Sequence, residues 1–200
     1  MRDLIRRAAV AAGATALMLG ASAGAAAAST GAPASHLCWA NNQAGTIVEA
    51  NLNGTSAHII ASGQHGPRGV AVNASHLYWA DLNAGTIVEA NLNGTSATTV
   101  ASGQLFPAGV AVDASHLYWG NQGTVTNPGT IVEAGLDGTS AKTIASGKGS
   151  PYGVAVNASH LYWANQTTTA GTVHEANLDG TSAKVIASRQ NGPSGVAVGP

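Results

Sequence analysis

The chain has 200 residues, with 8 Lys and Arg against 9 Asp and Glu, and only 8% of its residues are charged. This balance gives no basic surface, which excludes nucleic acid and anionic membranes as electrostatically attracted partners. The lone cysteine, Cys38, excludes an intrachain disulfide. The length is typical of one domain.

An export signal is predicted at the N-terminus. Arg2, Arg6 and Arg7 precede an apolar run over residues 8–19, and small residues that suit a cleavage site after Ala28 follow it. The run is shorter than the roughly 20 residues that a membrane span needs. We therefore expect a signal peptide over 1–28, of the Sec or twin-arginine type, and a single secreted domain over 29–200 without a membrane span.

One unit is repeated four times along the predicted domain. A Ser-His-Leu-Tyr-Trp motif recurs, with Cys38 in place of the tyrosine in the first copy. A fixed period of about 40 residues is typical of propellers and other repeat folds. The tryptophans are spaced by 40, 40 and 44 residues, at Trp39, Trp79, Trp119 and Trp163. The repeats cover about 36–66, 67–106, 107–150 and 151–192.

Each unit is predicted to contain four short strands, A to D. In the second unit these are residues 69–72, 77–80, 86–92 and 97–101. Asn93-Gly94 between strands C and D is typical of a type I′ hairpin. Because one such sheet cannot bury both faces alone, it must stack on its copies. The sequence therefore predicts an all-β fold, a β-propeller of four four-stranded antiparallel blades.

The two ends of the repeat region are complementary. Residues 29–35 supply no Gly-Val-Ala-Val strand before the first unit, whereas a spare copy, 195–198, follows the last unit. We expect this closing strand, within 193–200, to pair with the first blade and close the ring, which removes exposed sheet edges. The sequence leaves open whether the ring closes within one chain, so self-association is an alternative.

The units resemble the YWTD repeats of low-density lipoprotein receptors. The likeness rests on Leu77-Tyr78-Trp79-Ala80-Asp81, followed by Gly85-Thr86-Ile87 and 90–94, and it extends over 36–198. The resemblance implies a propeller used for binding and not for catalysis. That family has six blades where this chain offers four. NHL-type and virginiamycin-lyase-like propellers are a looser match. The YWTD aspartate is kept only as Asp81, with Asn41, Asn121 and Asn165 in the other units.

Residues present in every unit are predicted to serve the blade itself. Cys38 is expected to be a small buried hydrophobic residue, with intermolecular pairing as the alternative. The recurring histidines are expected to make structural hydrogen bonds, and a ring of imidazoles on a metal is the alternative. The recurring glutamates are expected to pair between blades or to lie at a rim, and no metal or cofactor is predicted. The aromatic core is expected to contain the four tryptophans with Tyr78, Tyr118 and Tyr162. The histidines are His36, His76, His116 and His160, and the glutamates are Glu49, Glu89, Glu133 and Glu175.

The units differ mainly in their B–C and D–A loops, which emerge on one side of a four-stranded blade. Single residues of types that anchor ligands occur there. Unrepeated residues give no Ser-His-Asp, Cys-His or metal-spaced cluster, so no catalytic residue is predicted. The candidate ligand-binding residues are His65, Arg68, Asp81, Phe106, Lys148, Tyr152 and Arg189.

These residues predict a secreted, non-enzymatic module that recognises a protein or a glycan. A lactonase-like or lyase-like propeller enzyme is one alternative, with a divalent cation or His65 as general base at the channel mouth. A structural cell-surface repeat protein without a ligand is the other alternative.

Overall fold

The computed structural model describes residues 36–147, 149–167 and 169–199, and every regular element in them is a β-strand. The predicted signal peptide and Lys148 lie outside these residues. Within them, no helix is long and apolar enough to cross a membrane.

The fifteen strands of these residues form four antiparallel sheets in which spatial order follows chain order. Blade 1 has three strands and blades 2 to 4 have four each, so the predicted all-β architecture of repeated blades is confirmed. Blade 1 is β1 (His36–Asn41), β2 (Thr46–Asn51) and β3 (His58–Ser62); blade 2 is β4 (Pro67–Val72), β5 (His76–Asp81), β6 (Thr86–Asn91) and β7 (Thr98–Ala101); blade 3 is β8 (Pro107–Val112), β9 (His116–Asn121), β10 (Thr130–Gly135) and β11 (Lys142–Ser146); blade 4 is β12 (Ser150–Val156), β13 (His160–Gln166), β14 (Gly171–Asn177) and β15 (Lys184–Gln190).

The turn between strands C and D is longer than the sequence predicts. In blade 2 the Gly94 N–H donates to the Asn91 carbonyl at 2.8 Å, and the Asn91 N–H donates to the Thr95 carbonyl at 2.9 Å. The positive φ angles fall on Gly94 (78°) and Ser96 (57°), and not on Asn93. The type I′ prediction is therefore wrong, because the Asn93 side chain accepts from the Thr95 N–H and shapes a wider turn.

Successive blades stack through two apolar faces that present different residues of the repeat. At the junction of blades 2 and 3, Tyr78, Ala80 and Ile87 of blade 2 pack against Leu117 and Trp119 of blade 3. The junctions of blades 1 and 2 and of blades 3 and 4 use equivalent residues. We call these the forward face of one blade and the rear face of the next. Burial of this apolar surface is the main stabilising contribution at each junction.

The first strands of blades 2, 3 and 4 lie side by side, and glycine allows their close approach. A Cβ added at Gly69 would lie 2.6 Å from the Val110 nitrogen, and one at Gly109 would lie 2.7 Å from the Val154 nitrogen. One at Gly153 would lie 2.8 Å from the Val196 nitrogen. The segment 193–199 therefore continues the row β4, β8, β12.

The expected closing strand is not seen in this structure. Residues 193–199 belong to no strand, and β1 is an edge strand of its three-stranded sheet. Trp39 is half-buried, whereas Trp79 and Trp119 are fully buried and Trp163 is 5% exposed. Pairing of the closing strand with the first blade stays a prediction.

Candidate functional site

The D–A and B–C loops meet on one side of the molecule. The Gln122 N–H, in a B–C loop, donates to the carbonyl of Phe106 at 3.1 Å, and the Asn83 N–H donates to the His65 carbonyl at 3.0 Å. The Gln104 N–H donates to Gly85 of the preceding blade at 2.9 Å. Each D–A loop thus joins the B–C loops of two blades. We call this side the loop face; it includes residues 42–45, 63–66, 82–85, 102–106, 122–129 and 189–192.

Arg68 and Tyr152 form a contact that spans three blades beside the loop face. They follow the first proline of β4 and β12, and Ala108 holds the same position in β8 between them. The guanidinium carbon of Arg68 lies 5.2 Å from the centroid of the Tyr152 ring, a cation–π distance. The small Ala108 side chain gives the two longer side chains room to meet. Among the described residues, the buried Nε of Arg68 has no hydrogen-bond acceptor.

Asp81 lies at a blade junction and not on the open surface. Its side chain is 4% exposed, and burial raises the pKa of its carboxyl group, while the His65 backbone N–H and ring act in the opposite direction. The equivalent Asn121 donates from Nδ2 to the Gln104 Oε1 at 2.9 Å. The structure therefore brings His65 and Asp81 together, but with only His65 exposed.

Phe106 and Arg189 are exposed and have unusual backbone conformations. Their φ angles are 55° and 56°. In the aligned units, glycines with positive φ stand at these positions: Gly66 and Gly192 match Phe106, and Gly63, Gly103 and Gly147 match Arg189. Because a Cβ makes this region unfavourable, two side chains are kept at a conformational cost.

Four of the candidate residues lie in strands, although the sequence predicted them in loops, and one of them is Asp81 at the end of β5. Arg68 is in β4, Tyr152 is in β12 and Arg189 is in β15. The physical reason is that strand pairing extends further than predicted. Its outer pairs are Pro67 with Asp81, Ser150 with Gln166, and Gly171 with Gln190.

The recurring histidines and glutamates pair within a blade, at the end of strand B far from the loop face. His76 Nδ1 lies 3.5 Å from Glu89 Oε1, and His160 Nε2 lies 3.6 Å from Glu175 Oε1. The prediction that the glutamates pair between blades is wrong, because these residues face each other across strands B and C. In residues 36–147, 149–167 and 169–199, no group of three or more His, Cys, Asp or Glu could hold a metal ion.

Two of the tryptophans make side-chain hydrogen bonds that were not predicted from the sequence. The Trp79 Nε1 donates to Gln64 Oε1 at 2.9 Å, and the Trp119 Nε1 donates to Gln104 Oε1 at 2.8 Å. The signal was present, because both glutamines follow a Ser-Gly pair in equivalent D–A loops. These bonds connect the loop face to the core.

His174 was not predicted as a site residue either, although it is a visible break in the repeat. It replaces the valine found at Val48, Val88 and Val132, and its ring stacks on Trp163 with centroids 4.9 Å apart. Its Nε2 lies 2.8 Å from Thr172 Oγ1, and burial lowers the pKa of the ring. The imidazole ring thus occupies in blade 4 the position that valine holds in the other blades.

Comparison with known proteins finds likeness at the level of fold. No protein-family model and no curated protein matches the chain. The crystal structure of a nidogen/laminin complex matches with a TM-score of 0.58 and 17% identity, covering 82% of this chain and 80% of that one. A putative TolB from Agrobacterium tumefaciens matches with a TM-score of 0.64 and 11% identity, covering 74% of this chain. This chain spans only 58% of the TolB structure. The likeness to a YWTD-type β-propeller fold is confirmed.

Proposed function

We propose that the chain is a secreted, non-enzymatic binding module that recognises a protein or a glycan through its loop face. The observation that carries this proposal is the placement of Phe106 and Arg189 at positive φ, at positions where two other units have glycine for Phe106 and three have glycine for Arg189. Each such residue costs of the order of 1 kcal/mol of stability. A cost of this kind on one exposed side of a rigid repeat is typical of a site selected for function.

The chemistry of the loop face suits a ligand that carries oxygen acceptors and apolar surface. Phe106 is 45% exposed and Leu105 is 43% exposed, so together they offer an apolar contact. Two buried donors, Arg68 Nε and Gln122 Nε2, have no acceptor among the described residues. Glycan hydroxyls, peptide carbonyls or ordered water can satisfy such donors.

One of the similar structures supports the proposal. It is a complex that contains nidogen and laminin, so a related fold is found in a protein assembly. The arginine-led apolar N-terminus supports export, which would place the loop face in contact with extracellular proteins and glycans.

The test is binding of the fluorescently labelled chain to printed glycan and peptide arrays. For each positive spot, the Phe106→Gly and Arg68→Gln variants should bind at least about tenfold more weakly, because an anchor contact contributes about 1.4 kcal/mol or more. Leu92→Ala is the matched control, since Leu92 is 41% exposed in a C–D turn on the opposite side. Absence of any binding, or equal loss in the control, would contradict the proposal.

The same proposal includes completion of the first blade. We propose that the segment 193–198 pairs with β1 as its missing strand A, so that the sheet edge is covered.

A further inference from the structure

We infer that a second copy of this chain supplies the strand beside β1, so that copies join head to tail through a composite blade. This inference rests on the part of the proposed function that pairs 193–198 with β1, and it adds where that strand comes from. The composite blade contains 193–198 of one copy and β1, β2 and β3 of the next.

Both halves of the composite blade expose residues that are buried in complete blades. Leu37 of β1 is 47% exposed, whereas its counterparts Leu77, Leu117 and Leu161 are 0% exposed. On the other half, Ala197 is exposed, whereas the counterparts Ala71, Ala111 and Ala155 are 0% exposed. Joining the two halves removes both apolar side chains from water.

The register of the composite blade follows from the complete blades. In blade 2, Ala71 lies opposite Tyr78 and Val70 lies opposite Trp79, and blade 3 repeats this register. The segment from Pro193 to Val198 has the same spacing of proline, glycine, alanine and valines as Pro67 to Val72. The inferred partners are therefore Ala197 with Cys38 and Val196 with Trp39.

In the described part of the chain, the C–D turn at the outer rim of blade 1 also lacks the contact that the other C–D turns make with the preceding blade. Cβ atoms added at Gly94, Gly138 and Gly180 would strike the carbonyls of Ile60, Val100 and Ile144 of the preceding blade. A Cβ added at Gly54 would meet no atom of the described residues within 4 Å. Ile60, Val100 and Ile144 hold the same position in blades 1 to 3, and Ile186 holds it in blade 4, where it is 48% exposed. Gly54 of one copy and Ile186 of another therefore make the missing fourth contact.

The middle of the blade 1 sheet does not need a new partner. Val48 and Ala50 of β2 are 6% and 2% exposed, as low as their counterparts in blades 2 and 3. The contact between copies is therefore concentrated at the β1 edge and at the rim formed by Leu37, Leu52 and Gly54. Leu52 is 64% exposed, whereas Leu136 and Leu178 are half-buried at the same position.

A second copy fits the observed arrangement better than closure within one chain. The segment 193–199 already stands beside β12 as the next member of the row β4, β8, β12, with the same backbone approach. A second chain can place its β1 beside the segment 193–199 of the first chain without any change in the junctions between blades of either chain. Because 193–199 lies beside β12 and β1 is an edge strand, closure within one chain requires the close-packed blades to move relative to one another. Head-to-tail contacts of this kind build a ring or a filament.

The lone cysteine makes the inferred register testable by an engineered disulfide. Paired residues of an antiparallel ladder have Cα atoms about 4.5 to 5.5 Å apart, which suits a disulfide. Burial and the Glu49 charge raise the pKa of Cys38 to about 11, so a copper-phenanthroline oxidant is needed. The full chain carrying Ala197→Cys is oxidised, and its products are sized on a non-reducing gel and by intact mass. The matched control is Val196→Cys, whose inferred partner is Trp39.

We expect disulfide-linked dimers and larger species from Ala197→Cys. From Val196→Cys we expect only the amount of disulfide-linked product that the unmodified chain gives. A disulfide within one chain would overturn the second-copy inference but would keep the pairing of 193–198 with β1. Absence of any disulfide between Cys38 and the cysteine introduced by Ala197→Cys would overturn both.

Light scattering on the unmodified chain gives an independent measurement. The mass should rise with concentration above that of one chain, and Leu37→Asp should restore a monomer because a buried charge opposes association. Since Leu37 is already half exposed, the variant should fold, and Thr99→Asp at an exposed position of blade 2 is the control. A constant monomer mass at all concentrations would overturn the inference.

Discussion

Each blade has a loop face and an opposite side, the turn side, which carries the A–B and C–D turns. The two sides differ in how closely the units repeat one another. On the turn side, Asn73 and Asn157 accept the same backbone hydrogen bonds, and Ser56, Ser96 and Ser140 all have positive φ. On the loop face, positive φ positions held by glycine in some units are held by Phe106 and Arg189 in others. A side chain held at positive φ in every unit serves the blade, whereas one held there in a single unit is better explained by a ligand.

The largest expected effect concerns the repeated core. Trp79→Ala should lower the free energy of unfolding by about 3 to 5 kcal/mol, because the side chain is fully buried and bonded to Gln64. Urea denaturation measures this loss. Trp39→Ala, at the half-buried counterpart, should cost less. Equal losses for the two variants would mean that blade 1 is as well covered as blade 2.

The blade junction can be probed with a pair of glycines that share a backbone conformation. Gly54 and Gly138 have φ angles of 77° and 80°, but only at Gly138 would a Cβ strike the Val100 carbonyl. Both alanine variants carry the strain of positive φ. We expect Gly138→Ala to cost about 1 to 3 kcal/mol more than Gly54→Ala, because of overpacking. Equal thermal stability of the two variants would show that the junction of blades 2 and 3 accommodates the added Cβ without loss of stability.

The single-copy residues of the loop face should respond in the opposite direction. Phe106→Gly and Arg189→Gly should raise stability by about 0.5 to 1 kcal/mol, since glycine relieves the strain and only part of this gain is lost to backbone entropy. Thermal unfolding measures the change. Phe106→Ala keeps the Cβ and should stay within about 0.5 kcal/mol of the unmodified chain. A lower stability of both glycine variants would show that these side chains support the fold.

The sequence predicted the parts of the molecule that depend on local patterns. The four units, the strand order within a blade and the shared side of the B–C and D–A loops followed from the repeat. The Arg68–Tyr152 contact could not be predicted, because it depends on Ala108 and on the spacing of three inner strands. The sequence showed that Phe106 and Arg189 differ from the residues at the same position in other units. Their conformational cost depends on their positive φ angles, which only the structure gives.

The smallest expected effect tests the one aspartate at a position where the other units have asparagine. Burial raises the pKa of Asp81 above its ordinary value of 3.8. The folded protein therefore holds the Asp81 proton more tightly than the unfolded chain does. This contribution to stability is complete below the ordinary pKa and is lost as pH rises through the raised pKa of the folded protein. Asp81→Asn replaces the carboxyl group by a neutral amide and so removes this pH dependence.

The variant should equal the unmodified chain below pH 3.8 and become slightly more stable than it towards neutral pH. Thermal melts across this pH range measure the difference, with Asn121→Ala as a control for loss of the Gln104 hydrogen bond. If Asp81→Asn is instead less stable at neutral pH, the carboxylate is held by the His65 contact. Asp81 would then belong with the ligand-directed residues of the loop face and not with the repeated core.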